Sequence, residues 1–190
     1  MRGVLVGVGI LGLCLAAAGD GKVPGGSRAR FEGKDTLLRP EGYREWVFVG
    51  SSLGLRYDAE AKKGDRLAET FKNVYINPES YRAFRKTGEF PEGTVTVLEV
   101  FSKEEKREPG LQGSFAKKRV SLAASVKDSR RFADGWAYYS FAGPGGTLKD
   151  KAVPHAREAC WSCHHEKGGV DHVFTQFYPI LNNARPGAKK

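Results

Sequence analysis

The chain has 190 residues, 40% of them hydrophobic and 28% charged, and carries a formal net charge of +9. That balance describes one globular domain with a core of its own and excludes a disordered or fibrous chain. The lysines and arginines are scattered with no recognition motif among them, which excludes a nucleic-acid reader; what they leave is a solvated basic surface, or attraction to an acidic redox partner or an anionic membrane.

Residues 1–18, MRGVLVGVGILGLCLAAA, pair one arginine with an apolar run that ends in Ala16-Ala17-Ala18. This is the pattern of a signal peptide cleaved near Ala18, and the run is short for a bilayer span, so the expected location is the periplasm or another exported compartment. Cleavage would take Met1 and Cys14 away. The mature chain would then hold no methionine, only Cys160 and Cys163 as cysteines, and a charge lowered from +9 to +8 by the loss of Arg2.

Residues 19–36 are Gly-rich and polar and read as a flexible leader; the folded domain is expected over 37–182, with a basic tail at 183–190. Pro40 and Glu41 open a predicted short helix that places Tyr43, Trp46 and Val47 on one face, and an apolar strand follows it as far as Gly54. Residues 58–65 read as a charged surface loop. A strand over 71–76 is broken by Asn77-Pro78, a helix over 79–86 is stopped at Thr87-Gly88, and a β-branched strand occupies 94–101. The charged residues 103–109 read as a second exposed loop. A long strand over 115–126 places Val120, Leu122, Ala124 and Val126 on one face by period two, and GWAYYSFAG (135–143) reads as a further strand. From Pro154 onward the chain reads as helical, with Val173, Phe174, Phe177 and Tyr178 at helix-like spacing. The fold class is therefore α+β, a mainly antiparallel sheet with short helices.

The run EACWSCHHEKGG (158–169) carries the chemistry. In Cys160-x-x-Cys163-His164 two thiols stand three apart and a histidine follows at once, the spacing at which the thiols add to haem vinyl groups and the histidine reaches the iron. A zinc site would need four placed ligands, and although His165 and His172 are available the spacing is not that of common fingers. A thioredoxin-like dithiol belongs after the first strand of a βαβ unit, and a plain disulfide leaves His164 unexplained. One covalent haem c per chain, attached by Cys160 and Cys163 with His164 as the metal ligand, is the reading favoured.

With no methionine in the mature chain, the Met/His ligation of small electron-carrying cytochromes is excluded. His155 and His172 are the remaining candidates for a second axial ligand, each with a plainer reading as a surface or helix-start residue. His165 lies about 100° round the helix from His164 and does not cross to the opposite side. An open sixth position is the expectation, and Phe71, Phe84, Phe90 and Phe101 are candidate apolar caps over it.

Six segments, YREWVFVG (43–50), NVYINPESYRAFRKTGEFPEGTVTVLE (73–99), SVKDSRRF (125–132), GWAYYSF (135–141), CWSCHH (160–165) and FTQFYPIL (174–181), resemble the cytochrome P-460 family in order. The resemblance spans residues 37–181 and implies a largely antiparallel β fold, a C-terminal c-type haem, a periplasmic location and a homodimer. It also implies a relation to cytochrome c′-beta, whose members bind nitric oxide or carbon monoxide, whereas cytochrome P-460 proper oxidises hydroxylamine. In the latter a lysine is joined to the porphyrin edge; the candidate here is Lys86, with Arg85 beside it, and its alternative is a solvated lysine at a helix end.

The hydroxylamine-oxidising members also use a distal carboxylate to accept protons. The strand at 115–126 offers Lys117, Lys118 and Arg119 but no acid, so the nearest candidate is Glu99, alternating with Val95, Val97 and Phe101. Two readings follow. One is an oxidoreductase acting on hydroxylamine or a related nitrogen species. The other is a non-enzymatic haem protein that binds nitric oxide or another diatomic ligand, or passes electrons to a partner protein.

Overall fold

Alternation of apolar and polar residues sets the architecture, because neighbouring residues of a strand face opposite sides of its sheet. The computed structural model describes residues 27–55, 69–184 and 186–187. The signal-peptide and surface-loop readings at 1–18 and 58–65 lie outside them, as do residues 19–26 of the leader and part of the basic tail.

Strands β1 (Phe31–Glu32), β2 (Thr36–Leu38) and β8 (Lys151–Ala152) form a small antiparallel sheet in the order β1-β2-β8. Strands β3 (Val47–Leu53), β4 (Thr70–Ile76), β5 (Val95–Glu108), β6 (Leu111–Lys127) and β7 (Trp136–Ser140) form a five-stranded antiparallel meander in sequence order. Helix α1 (Pro78–Thr87) connects β4 to β5 and ends at Gly88, whose φ of 79° suits a glycine cap. Helices α2 (Trp161–Lys167) and α3 (Pro179–Asn182) complete the chain. The α+β class and the antiparallel sheet agree with the sequence reading.

Each face of the large sheet holds its own core. On one face Val95, Val97, Leu122, Ala124, Val126 and Tyr139 pack with Leu37 and Ala152 of the small sheet and with Tyr43 and Trp46. On the other, Val49, Ile76, Trp136 and Tyr138 pack with Phe84 of α1, with Phe90, and with Tyr178 and Leu181 near the C-terminus. The period-two pattern decides this partition, since neighbouring residues of one strand enter opposite cores.

Three expectations need correction. The leader is shorter than 19–36, because Phe31–Glu32 and Thr36–Leu38 pair across a hairpin, and Phe31 packs against the core and against Phe132 at a ring separation of 6.1 Å. The helix expected from Pro40 is one 3-10 turn, Tyr43–Glu45, since Gly42 enters at a φ of 65° and Val47 already belongs to β3. Residues 103–108 are strand and not loop. They continue β5 and pair with 111–116 of β6 across the Pro109-Gly110 turn, in a hairpin that carries polar side chains on both faces, as in the 2.6 Å ion pair of Lys117 with Glu104. An exposed ladder of this kind, with Leu111 and Phe115 set among charged and polar residues, has no regular apolar alternation to announce it.

Candidate haem site

The inner face of the sheet and the C-terminal segment enclose a cavity of about 500 Å³, within the range of small-molecule and cofactor sites. Val74, Ile76, Leu98 and Ala123 give the sheet wall its apolar character, while Cys160, Cys163, His164, Phe174 and Phe177 line the side formed by the C-terminal segment. Phe177 is 61% exposed. The structure thus gathers the two cysteines and the histidine of the motif around one apolar space.

Local geometry explains how. Cys160 caps α2, and the helical bond from the His164 N–H to the Cys160 carbonyl (3.1 Å) sets the thiols and the imidazole on the inner side of a two-turn helix. Both cysteines are half-buried free thiols. Burial, with the Cys163 sulfur beside it, pushes the Cys160 thiol up. That is the opposite of the lowered thiol of a redox-active dithiol. Among the described residues no three His, Cys, Asp or Glu side chains gather as a metal cluster.

The His164 ring lies between Tyr138 (ring centroids 4.4 Å apart) and Phe174 (4.6 Å), and its Nδ1 is 2.8 Å from the carbonyl of His172. A carbonyl can only accept, so Nδ1 carries the proton and Nε2 keeps its lone pair. Burial, the largest influence, lowers the His164 pKa and keeps the ring neutral. A neutral imidazole with one nitrogen committed to a carbonyl is the form in which histidine ligates a metal.

The wall is not wholly apolar. Thr96, Ser125 and Tyr138 stand in one cross-strand row on β5, β6 and β7, and the Thr96 and Ser125 hydroxyl oxygens are 2.5 Å apart. The Tyr138 hydroxyl is buried without a hydrogen-bond partner, and burial raises its pKa. An orphaned hydroxyl on the wall of an apolar cavity, two free thiols and a pre-set imidazole together fit a haem that supplies the missing contacts.

A family model for Cytochrome P460 matches residues 40–175. The chain belongs to the Cytochrome P460 family. It is accordingly a haem protein, and the matched span runs from the start of the large sheet's first core through the C-terminal motif. A search among curated proteins returns no match.

Several candidates from sequence occupy other places in this cytochrome P460 domain. Glu99 faces the opposite core, 1% exposed, where it accepts hydrogen bonds from the Tyr43 hydroxyl (2.7 Å) and the Arg44 guanidinium (2.5 Å). The sheet separates it from the cavity, because β5 sends Thr96 and Leu98 inward and Val97 and Glu99 outward. Burial, then the bond to Glu99, pushes the Tyr43 phenol up to about 12, so Tyr43 remains a neutral donor. This cluster is structural. Glu99→Ala strands the Tyr43 hydroxyl and frees Arg44, and is expected to lower stability by about 1–3 kcal/mol; an unchanged urea midpoint would refute that assignment.

Lys86 lies exposed in the last turn of α1 beside Arg85, and neither residue lines the cavity. Phe84 and Phe90 stack on each other at 4.2 Å within the core, away from the cavity walls, and Phe71 pairs with Phe101 across β4 and β5. The phenylalanines of the cavity are Phe174 and Phe177. His155, which is exposed as its surface reading requires, and His172, the other candidate second ligand, both line it, as does Lys167. Tyr138 and the Thr96–Ser125 pair were missed, and the only signal for them was their inward register on strands already identified.

Proposed function

We propose that the protein is an exported mono-haem cytochrome that presents one open face of its iron to a small diatomic or nitrogen-containing ligand, nitric oxide being the type. Covalent attachment is assigned to Cys160 and Cys163, each S–H adding across a vinyl double bond so that sulfur bonds one carbon and hydrogen goes to the other. His164 would hold the iron. Bound there, the haem would supply the site that takes up the ligand and exchanges one electron at a time.

The observation that carries this reading is the sheet wall of Val74, Ile76, Leu98 and Ala123, which is apolar and lies on the other side of the sheet from Glu99. Such a wall excludes water and favours small uncharged ligands. The Thr96–Ser125 hydroxyl pair gives them one polar contact, and the Tyr138 and Phe174 rings hold the His164 plane. The basic surface suits an acidic electron-transfer partner. A homodimer is proposed through the outer half of the β5–β6 hairpin, where Leu111 and Phe115 are 57% and 37% exposed; sedimentation velocity showing only monomer would remove that proposal.

One observation favours a second reading, oxidation of hydroxylamine: His155, His172 and Lys167 on the cavity lining could move protons without a carboxylate. The two are separated by mixing the ferric protein with hydroxylamine and a dye acceptor, and the ferrous protein with nitric oxide. Tight nitric oxide binding with no sustained dye reduction is expected. Continuous dye reduction, proportional to protein, would establish the oxidase instead.

A further inference from the structure

Asp171 and His172 are the only non-glycine residues at positive φ among those described, at 47° and 63°, and they are neighbours. They form the centre of a four-residue turn closed by the Val173 N–H on the Val170 carbonyl (2.8 Å) and the Val170 N–H on the Val173 carbonyl (3.2 Å). Positive φ at both central positions is the pattern of a type I′ turn, which strongly prefers Asn-Gly or Asp-Gly. A histidine there holds a strained backbone, and strain of this kind persists only where the surroundings over-determine it.

The surroundings are specific. The Asp171 carboxylate accepts from the Lys127 ammonium (2.6 Å) and from the Trp136 indole N–H (3.2 Å). Lys127 and Trp136 are cross-strand partners on β6 and β7, so both donors stand side by side on the sheet, and Lys127 also donates to the Phe90 carbonyl at 2.7 Å. From below, Gly168 lets the turn press onto the end of α2: a Cβ at Gly168 would lie 2.5 Å from the His164 carbonyl oxygen and 2.9 Å from the His172 backbone. The result of this anchoring is the position of one atom, the His172 carbonyl oxygen that accepts from His164 Nδ1.

We infer that Asp171, clamped by Lys127 and Trp136, is a positioning residue that holds the strained turn so that the His172 carbonyl sets the orientation and donor strength of His164. The inference rests on His164 being the iron ligand. An acceptor on Nδ1–H makes Nε2 a stronger donor, which favours the oxidised iron and strengthens the bond to it. Without the clamp the turn relaxes towards negative φ and the carbonyl leaves the ring.

The test compares reduced holoproteins by resonance Raman spectroscopy and by midpoint potential, for wild type, Asp171→Ala, Lys127→Met, Lys127→Arg and His164→Gly. Asp171→Ala and Lys127→Met are expected to lower the iron–histidine stretching frequency and raise the potential, and Lys127→Arg to stay near wild type. Should Asp171→Ala not accumulate, Lys127→Met carries the same comparison. If the band and potential of the clamp variants match wild type while His164→Gly loses the band, the positioning role is wrong and the ligation stands. A band that survives His164→Gly overturns the ligation itself.

Discussion

The double variant Cys160→Ala/Cys163→Ala is expected to lose its haem entirely on a denaturing gel, where the wild-type band keeps haem peroxidase staining. Thioether links survive unfolding, whereas a haem held only by an axial histidine and apolar contacts leaves once the cavity opens. Each single variant keeps one link, so it should still stain, with its reduced absorption shifted towards that of a haem with one free vinyl group. Both thiols are half-buried and neither forms a disulfide, so the substitutions take away two sulfur atoms and little packing. A double variant that stains like wild type would show that the haem is held some other way.

His164→Gly is expected to change the electronic spectrum of the reduced protein outright while leaving the haem attached through the two cysteines. The removed ring sits between Tyr138 and Phe174, and its loss leaves a gap shaped for imidazole. Added imidazole should therefore restore much of the wild-type spectrum. His155 and His172 also line the cavity, so the outcome separates a fixed ligand from an exchangeable one: a variant with an unchanged spectrum and no response to imidazole means that another histidine holds the iron.

Much of this arrangement was legible in the residues because it follows from short periods. The alternation of Leu122, Ala124 and Val126 placed one face of β6 correctly, while Val120 falls at a register shift outside that core, and Asn77-Pro78 and Thr87-Gly88 bracketed α1 to within a residue at each end. The Cys-x-x-Cys-His spacing likewise picked out three residues that line one cavity. What stayed hidden depends on which face a strand turns inward. Glu99 was identified correctly as sharing a face with Val95 and Val97, but both faces of β5 are covered, so alternation could not tell the haem-side core from the other. Phe84 and Phe174 are indistinguishable as letters, and only the path of the chain after β7 brings the second to His164.

The Asp171–His172 turn was hidden for a different reason. Sequence preference argues for glycine at its second central position, and the conformation is imposed by Lys127 and Trp136, more than thirty residues away in the chain. A local rule fails where a tertiary contact overrules it.

The two cores are closed by different stretches of the chain. The core shared with the small sheet is complete by Ala152, and the ladder from β3 to β7 needs nothing beyond Ser140. Residues 154–181 lie over the second face mostly by side-chain contacts, with the backbone joined to the sheet through the His155 N–H on the Tyr138 carbonyl, 2.8 Å. The wall of the cavity opposite the sheet is therefore held by side-chain packing, the Asp171 contacts to Lys127 and Trp136 among it, and not by strand pairing.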